Sequence, residues 1–256
     1  MKLTNFISVL LITILGFSNT QAQSDTTKTT TKSIESDNYV PKSEFRTFRM
    51  GIYGSMGFGW MKPKTKEYTK DGSHFAYSYG LITDYNFTEN YTLSTGFAIS
   101  NTGGKLSFKD SQDISNGVID TGMVNRKYNI SYFEIPILIK MKTNQMGYFT
   151  YFAQLGIRNY MRLNSTYDET FAYSNNGTTN TISSEEIENS DGINFYRMAF
   201  SFGIGTEYAI SKSFSAFGYL SYDNGLTNVL NNTNSVSKLE ENAVIKQFTL
   251  TAGFLF

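Results

Sequence analysis

The chain has 256 residues, with 22 basic and 22 acidic side chains, one histidine, no cysteine, and 21 Phe, 18 Tyr and 21 Gly beside 3 Pro. A net charge of zero leaves no global field to draw in nucleic acid or an acidic substrate. The missing cysteine excludes disulfides, thiol catalysis, thiolate metal sites and lipidation on an N-terminal cysteine, and a lone histidine excludes multi-histidine metal sites.

The chain opens on Lys2 and an apolar run from Phe6 to Phe17, followed by Ser18-Asn19-Thr20-Gln21-Ala22. A run this short does not span a bilayer, and small polar residues follow it, so residues 1–22 read as a secretory signal peptide. Residues 23–45 are rich in Ser, Thr and Lys, with little to bury, and read as a flexible periplasmic tail. Beyond residue 17 no stretch approaches the roughly 20 apolar residues of a membrane helix.

From Arg46 onward apolar residues recur with a period of two, the signal of β-strands. Eight strands are predicted, at about 46–60, 74–87, 91–107, 126–142, 148–165, 193–210, 214–225 and 244–256. On strand four, Phe133, Ile135, Ile137, Ile139 and Met141 alternate with Tyr132, Glu134, Pro136, Leu138 and Lys140. Strand seven is ambiguous, because Phe214, Leu220 and Tyr222 compete with Phe217 and Tyr219 for the apolar face. The second face carries Asp84, Glu134, Lys140, Arg158, Arg197 and Glu207 among many glycines. Glycine on a solvent face would weaken strands for no gain. With the apolar face toward lipid and the small and charged residues in a narrow lumen, the pattern fits an all-β, eight-stranded, antiparallel up-and-down transmembrane β-barrel spanning 46–256.

Connection lengths give the orientation. Joins after strands two, four and six are short (Thr88-Glu89-Asn90, Gln145-Met146-Gly147, Ser211-Lys212-Ser213), whereas those at about 61–73, 108–125, 166–192 and 226–243 are long and polar. Short turns in the periplasm and long loops outside are the outer-membrane layout, and an even strand number then puts both termini in the periplasm. A three-residue loop closed by Asn144 and Tyr148 sets Glu134 opposite Arg158, with Gly147 where a left-handed conformation is wanted. An eight-stranded lumen is just wide enough for side chains to fill, so Glu134, Arg158, Lys140, Arg197 and Glu207 are expected to form a packed structural network rather than a gate.

The stretch Tyr132-Phe133-Glu134-Ile135-Pro136-Ile137-Leu138-Ile139-Lys140 resembles the signature of PorT-like outer-membrane β-barrel proteins, with Tyr132, Glu134, Pro136 and Lys140 as the matching positions. Gly203-Ile204-Gly205-Thr206-Glu207-Tyr208 and Tyr222-Asp223-Asn224-Gly225-Leu226-Thr227-Asn228 are similar to two further elements of that family, in the same order. Phe254 and Phe256 resemble the C-terminal signal read by the barrel assembly machinery. The resemblance implies residence in a Gram-negative outer membrane, in a lineage one of whose members is tied to type IX secretion. Ser221 stands where many members carry arginine.

Several functions remain open on these residues. The first is a non-enzymatic barrel, plugged, with long loops for surface interaction or envelope support. A second is an accessory component of a type IX protein-secretion system, with a periplasmic partner. A soluble lipid carrier would need the apolar face turned inward. An outer-leaflet lipid enzyme would rest on His74 with Ser73 and Asp71, but neighbours along a strand point to opposite faces and do not share a proton easily. Asp110 and Asp113 lie in a segment without calcium-loop spacing. No cofactor and no nucleic acid is implied; the implied partners are outer-membrane lipid, the assembly machinery, and a periplasmic or surface protein.

Overall fold

The computed structural model describes residues 41, 44–115, 118–175 and 178–256. The predicted signal peptide and most of the predicted tail lie outside the described residues. Ten strands follow in chain order: β1 Phe48–Pro63, β2 Thr69–Gly72, β3 His74–Asn86, β4 Tyr91–Ser115, β5 Val118–Lys142, β6 Phe149–Asn175, β7 Thr178–Glu188, β8 Tyr196–Ala209, β9 Ser215–Gly225 and β10 Ala243–Leu255. Eight of them pair antiparallel with their neighbours in a closed ring, β1-β3-β4-β5-β6-β8-β9-β10, and β10 pairs back onto β1. Closure leaves no free edge. At the seam Met50 and Phe256 exchange both backbone hydrogen bonds, at 3.1 and 2.8 Å. The two extra strands are additions at the loop side: β2 pairs with β4 and β7 with β6.

The barrel wall sorts its side chains inside out. Phe58, Tyr79, Phe97, Ile137, Phe202, Leu220, Phe248 and Phe254 are exposed on the outer surface, while Asp84, Glu134, Lys140, Arg158, Arg197 and Glu207 are buried within the ring. Strand seven of the sequence reading, here β9, settles the same way: Leu220 faces out, and Phe217 and Tyr219 fill the lumen. Small residues keep the wall tight. A Cβ on Gly57 would come within 1.9 Å of the Phe248 carbonyl oxygen across the β1–β10 seam.

Two expectations need correction. The segments 108–125 and 166–192 are not mainly loops. β4 and β5 run on as one hairpin to Ser115 and Val118, and β6 pairs with β7 in another. The register of β5 against β6 is also displaced by two residues. Pro136, not Glu134, lies opposite Arg158, and Glu134 lies opposite Tyr160. The turn is tighter than expected, because Met146 and Phe149 exchange backbone hydrogen bonds of 2.8 and 3.1 Å around Gly147-Tyr148. Gly147 takes the left-handed conformation (φ 60°). Lipid and lumen faces constrain register only to even steps, so a slip of two leaves every side chain on its predicted face.

Above the membrane wall the extended strands build a second core. Leu106 and Phe108 from β4, Val124, Tyr128 and Ile130 from β5, and Phe171 from β6 point inward and are fully buried. Met61, Tyr68, Ile193, Val229, Leu230, Ala243 and Ile245 complete the cluster from the remaining loop-side segments. The outer face here is polar, with Asn125, Lys127 and Asn129 exposed. A β-bulge makes this possible on β6. Tyr132 pairs with Arg162 and Ser131 with Asn164, leaving Leu163 unpaired and exposed. Beyond it the buried positions change from even (Arg158, Tyr160) to odd (Ser165, Glu169, Phe171).

Candidate functional site: a charged lumen beneath a packed head

The lumen holds two tiers of charge. In the tier nearer the turns, Lys140 donates to Asp84 at 2.7 Å and lies 3.6 Å from Glu207, too far for a hydrogen bond. Glu207 accepts from Arg49 at 2.9 Å, Arg49 also donates to Ser215, and Ser94 donates to Asp84 at 2.6 Å. Two carboxylates thus face two cations. Buried charges persist only when paired and hydrogen-bonded, because desolvation rivals their attraction.

In the tier nearer the loops, Arg158 is the hub. It pairs with Glu134, lies 3.4 Å from Asp223, and donates to Ser201 at 3.0 Å. Asp223 accepts from Gln247 at 3.0 Å and from Tyr160 at 3.3 Å, and Gln247 accepts from Thr102 at 3.1 Å. Beside the tiers packs an apolar belt of Tyr53, Ile82, Ala98, Phe152, Phe217, Tyr219 and Leu255. The Lys140 ammonium sits 5.0 Å from the Phe152 ring and 5.9 Å from that of Phe217, linking the lower tier to the belt.

The structure therefore brings Glu134 together with Arg158, and Lys140 with Glu207, but in separate groups. Arg197 joins neither. Its guanidinium carbon is 3.7 Å from the Tyr160 ring and 4.8 Å from that of Tyr132, and none of its nitrogens has a hydrogen-bond partner among the described residues. Pro136 lies within the β5–β6 ladder and Tyr132 stacks edge-on against Tyr160 at 5.7 Å. Phe254 and Phe256 are exposed on the outer wall, Phe254 stacked on Phe214 at 5.5 Å. Ser221 shares a hydrogen bond of 2.8 Å with Thr249. Sequence reasoning missed Arg49 and the ligating role of Asp223. Arg49 was within reach of it, since it shares the odd parity of the lumenal Gly51 and Tyr53 on β1. As for a Ser–His site, His74 has a buried Nδ1 without a partner, and Ser73 is exposed.

The lumen ends toward the turns in an open cleft of about 580 Å³ lined by Arg46, Arg49, Asn86, Lys142, Gln145 and Glu207. Toward the loops it ends against the head, which has a polar network of its own. Arg126 donates to Glu169 at 2.6 Å and packs 4.3 Å from the Tyr167 ring. Tyr68 donates to Glu241 at 2.7 Å and accepts from Asn234 at 3.0 Å. Burial raises the Glu241 carboxyl above the usual carboxylate range, and burial together with the bond to Glu241 raises the Tyr68 phenol.

Residues 21–231 match the family model described as an outer membrane protein beta-barrel domain. The chain belongs to this family. Membership places the barrel in the outer membrane, which agrees with a wall that is apolar outside and charged within. Among solved structures, the chain is similar to the attachment invasion locus protein Ail of Yersinia pestis, at 13% identity over 82% of this chain and 100% of that one, with a TM-score of 0.32. It is also similar to Neisserial surface protein A, at 10% identity over 82% and 96% of the two chains (TM-score 0.40). A third is OprG from Pseudomonas aeruginosa, at 12% identity over 84% and 96% (TM-score 0.40). Among curated proteins, no sequence matches this chain.

Proposed function

We propose that this outer-membrane barrel is a non-enzymatic, plugged barrel whose built-up head presents a rigid surface for interaction outside the cell. The observation that supports this most is how the lumen is filled: two paired charge tiers, an apolar belt packed beside them, and a hydrophobic core toward the loops. A hydrated ion meets aromatic and aliphatic side chains at the belt, and a small molecule entering from outside meets the head. In this reading the loops face outward, both termini are periplasmic, and Phe254 and Phe256 serve assembly. In planar bilayers the purified protein should give no conductance above the empty membrane; stable channel openings would overturn the plugged reading. Crosslinking in intact cells should trap a surface partner on the head, and a head that crosslinks to nothing would leave only envelope support.

A second reading has its own observation. The PorT-like motif from Tyr132 to Lys140, with Glu134 and Lys140 placed in the two tiers, accompanies an open turn-side cleft carrying Arg46, Arg49 and Lys142. This combination suits an accessory component of type IX secretion that docks a periplasmic partner. A deletion strain should then lose secreted cargo, and unchanged secretion would remove this reading.

A further inference from the structure

We propose that the junction between lumen and head binds a small monovalent inorganic anion, of the size of chloride, held by Arg197, Arg162 and Tyr132. Arg197 is 1% exposed, and its Nε, Nη1 and Nη2 are all buried without a hydrogen-bond partner among the described residues. Its contacts with Tyr160 and Tyr132 are ring contacts, and neither gives its five N–H donors an oxygen to bond. Buried donors of this kind are costly to leave unmade.

The register gathers further unpartnered groups around it. Arg197 is the strand partner of Tyr160, and Arg162 that of Tyr132, so these residues occupy adjoining inward rows of β5, β6 and β8. Arg162 Nη1 and Tyr132 Oη are likewise buried without a partner, as is Ser165 Oγ, which follows across the bulge. The charge count points the same way. Arg158, Arg162 and Arg197 face two carboxylates, Glu134 and Asp223, and both of those are turned to Arg158. Among these five groups one positive charge is left over, between the head and the ion pair, and a single monovalent anion cancels it. Tyr132 and Arg197 are both fully buried, which favours a small ion over a larger organic acid.

The test uses the full chain, extracted in detergent, with its thermal midpoint read from heat-modifiable gel migration. Sodium chloride is titrated against sodium gluconate at constant ionic strength. The midpoint should rise with chloride and saturate, and should not respond to gluconate; equal midpoints, or a rise that never saturates, would overturn the site. Arg197→Gln should abolish the chloride response. Should that variant fail to fold, Arg162→Gln, at a half-buried position, should raise the half-saturating chloride concentration about tenfold, and an unchanged value would count against the proposal. Crystals grown in bromide should give an anomalous peak within hydrogen-bond distance of the Arg197 guanidinium, whereas ordered water alone at that place would refute it.

Discussion

The membrane wall and the head are made of the same strands, yet they sort side chains in opposite senses. On β5, Ile137 and Ile139 face outward and Lys140 inward; farther up, Asn125, Lys127 and Asn129 face outward, and Val124, Tyr128 and Ile130 inward. On β5 the period of two never breaks. What changes is the solvent. Hydrocarbon outside the wall rewards apolar residues there and leaves the lumen to paired charges, while water outside the head restores the ordinary arrangement of an apolar core under a polar surface. A barrel strand therefore records in its phase where the membrane ends.

The sharpest way to break this comparison is to remove a hub from each region. Arg158→Met strands two buried carboxylates, Glu134 and Asp223, and should cost about 3–5 kcal/mol of barrel stability, read from urea unfolding. Adding Glu134→Gln should recover part of that loss. In the head, Leu106→Ala should cost about 2–5 kcal/mol of local stability. It should be read as faster proteolysis of the loop-side strands with the heat-modifiable band of the barrel unchanged. If instead the whole barrel unfolded together, head and wall would be a single cooperative unit.

One outward-facing pair separates the solvents directly. Ile137→Lys on the wall should destabilise by about 2–4 kcal/mol, whereas Asn129→Lys on the same face of the same strand should lie within about 0.5 kcal/mol of the parent. Equal costs would mean that the bilayer boundary does not fall between them. The smallest effect concerns Glu241. Its carboxyl keeps its proton to higher pH in the folded head than in the unfolded chain, so the stability it lends is present below the usual carboxylate range and falls as pH rises from that range through the raised folded value. Proteolysis of the head should accelerate across that window, and Glu241→Gln should flatten the dependence.

Much of the wall could be read in the sequence because one constraint, apolar toward lipid, acts on every second residue of all eight strands. The same constraint explains what was missed. A search for outward apolar residues starts strand four at about 126 and reads 108–125 as loop, although the inward Phe108 and Val124 keep the alternation going. The bulge at Leu163 carries no glycine or proline to mark it. The even-step slip between β5 and β6 was invisible for a different reason, since parity is all that two faces can enforce. Among the charged lumen residues, burial could be inferred from the face they share, but pairing could not. Glu134 reaches Arg158 along a diagonal, and Arg197 lies against tyrosine rings, because reach and rotamer decide partners once the face is set.

The reversal of phase near Ser131 also fixes the depth at which the cylinder floats. Shifted toward the turn side by one pair of residues, it would drag Asn129 into oil; shifted toward the loop side by the same step, it would bare Phe133 to water. Both displacements are penalised, so the strands carry their own waterline, and the bilayer has to meet the protein there.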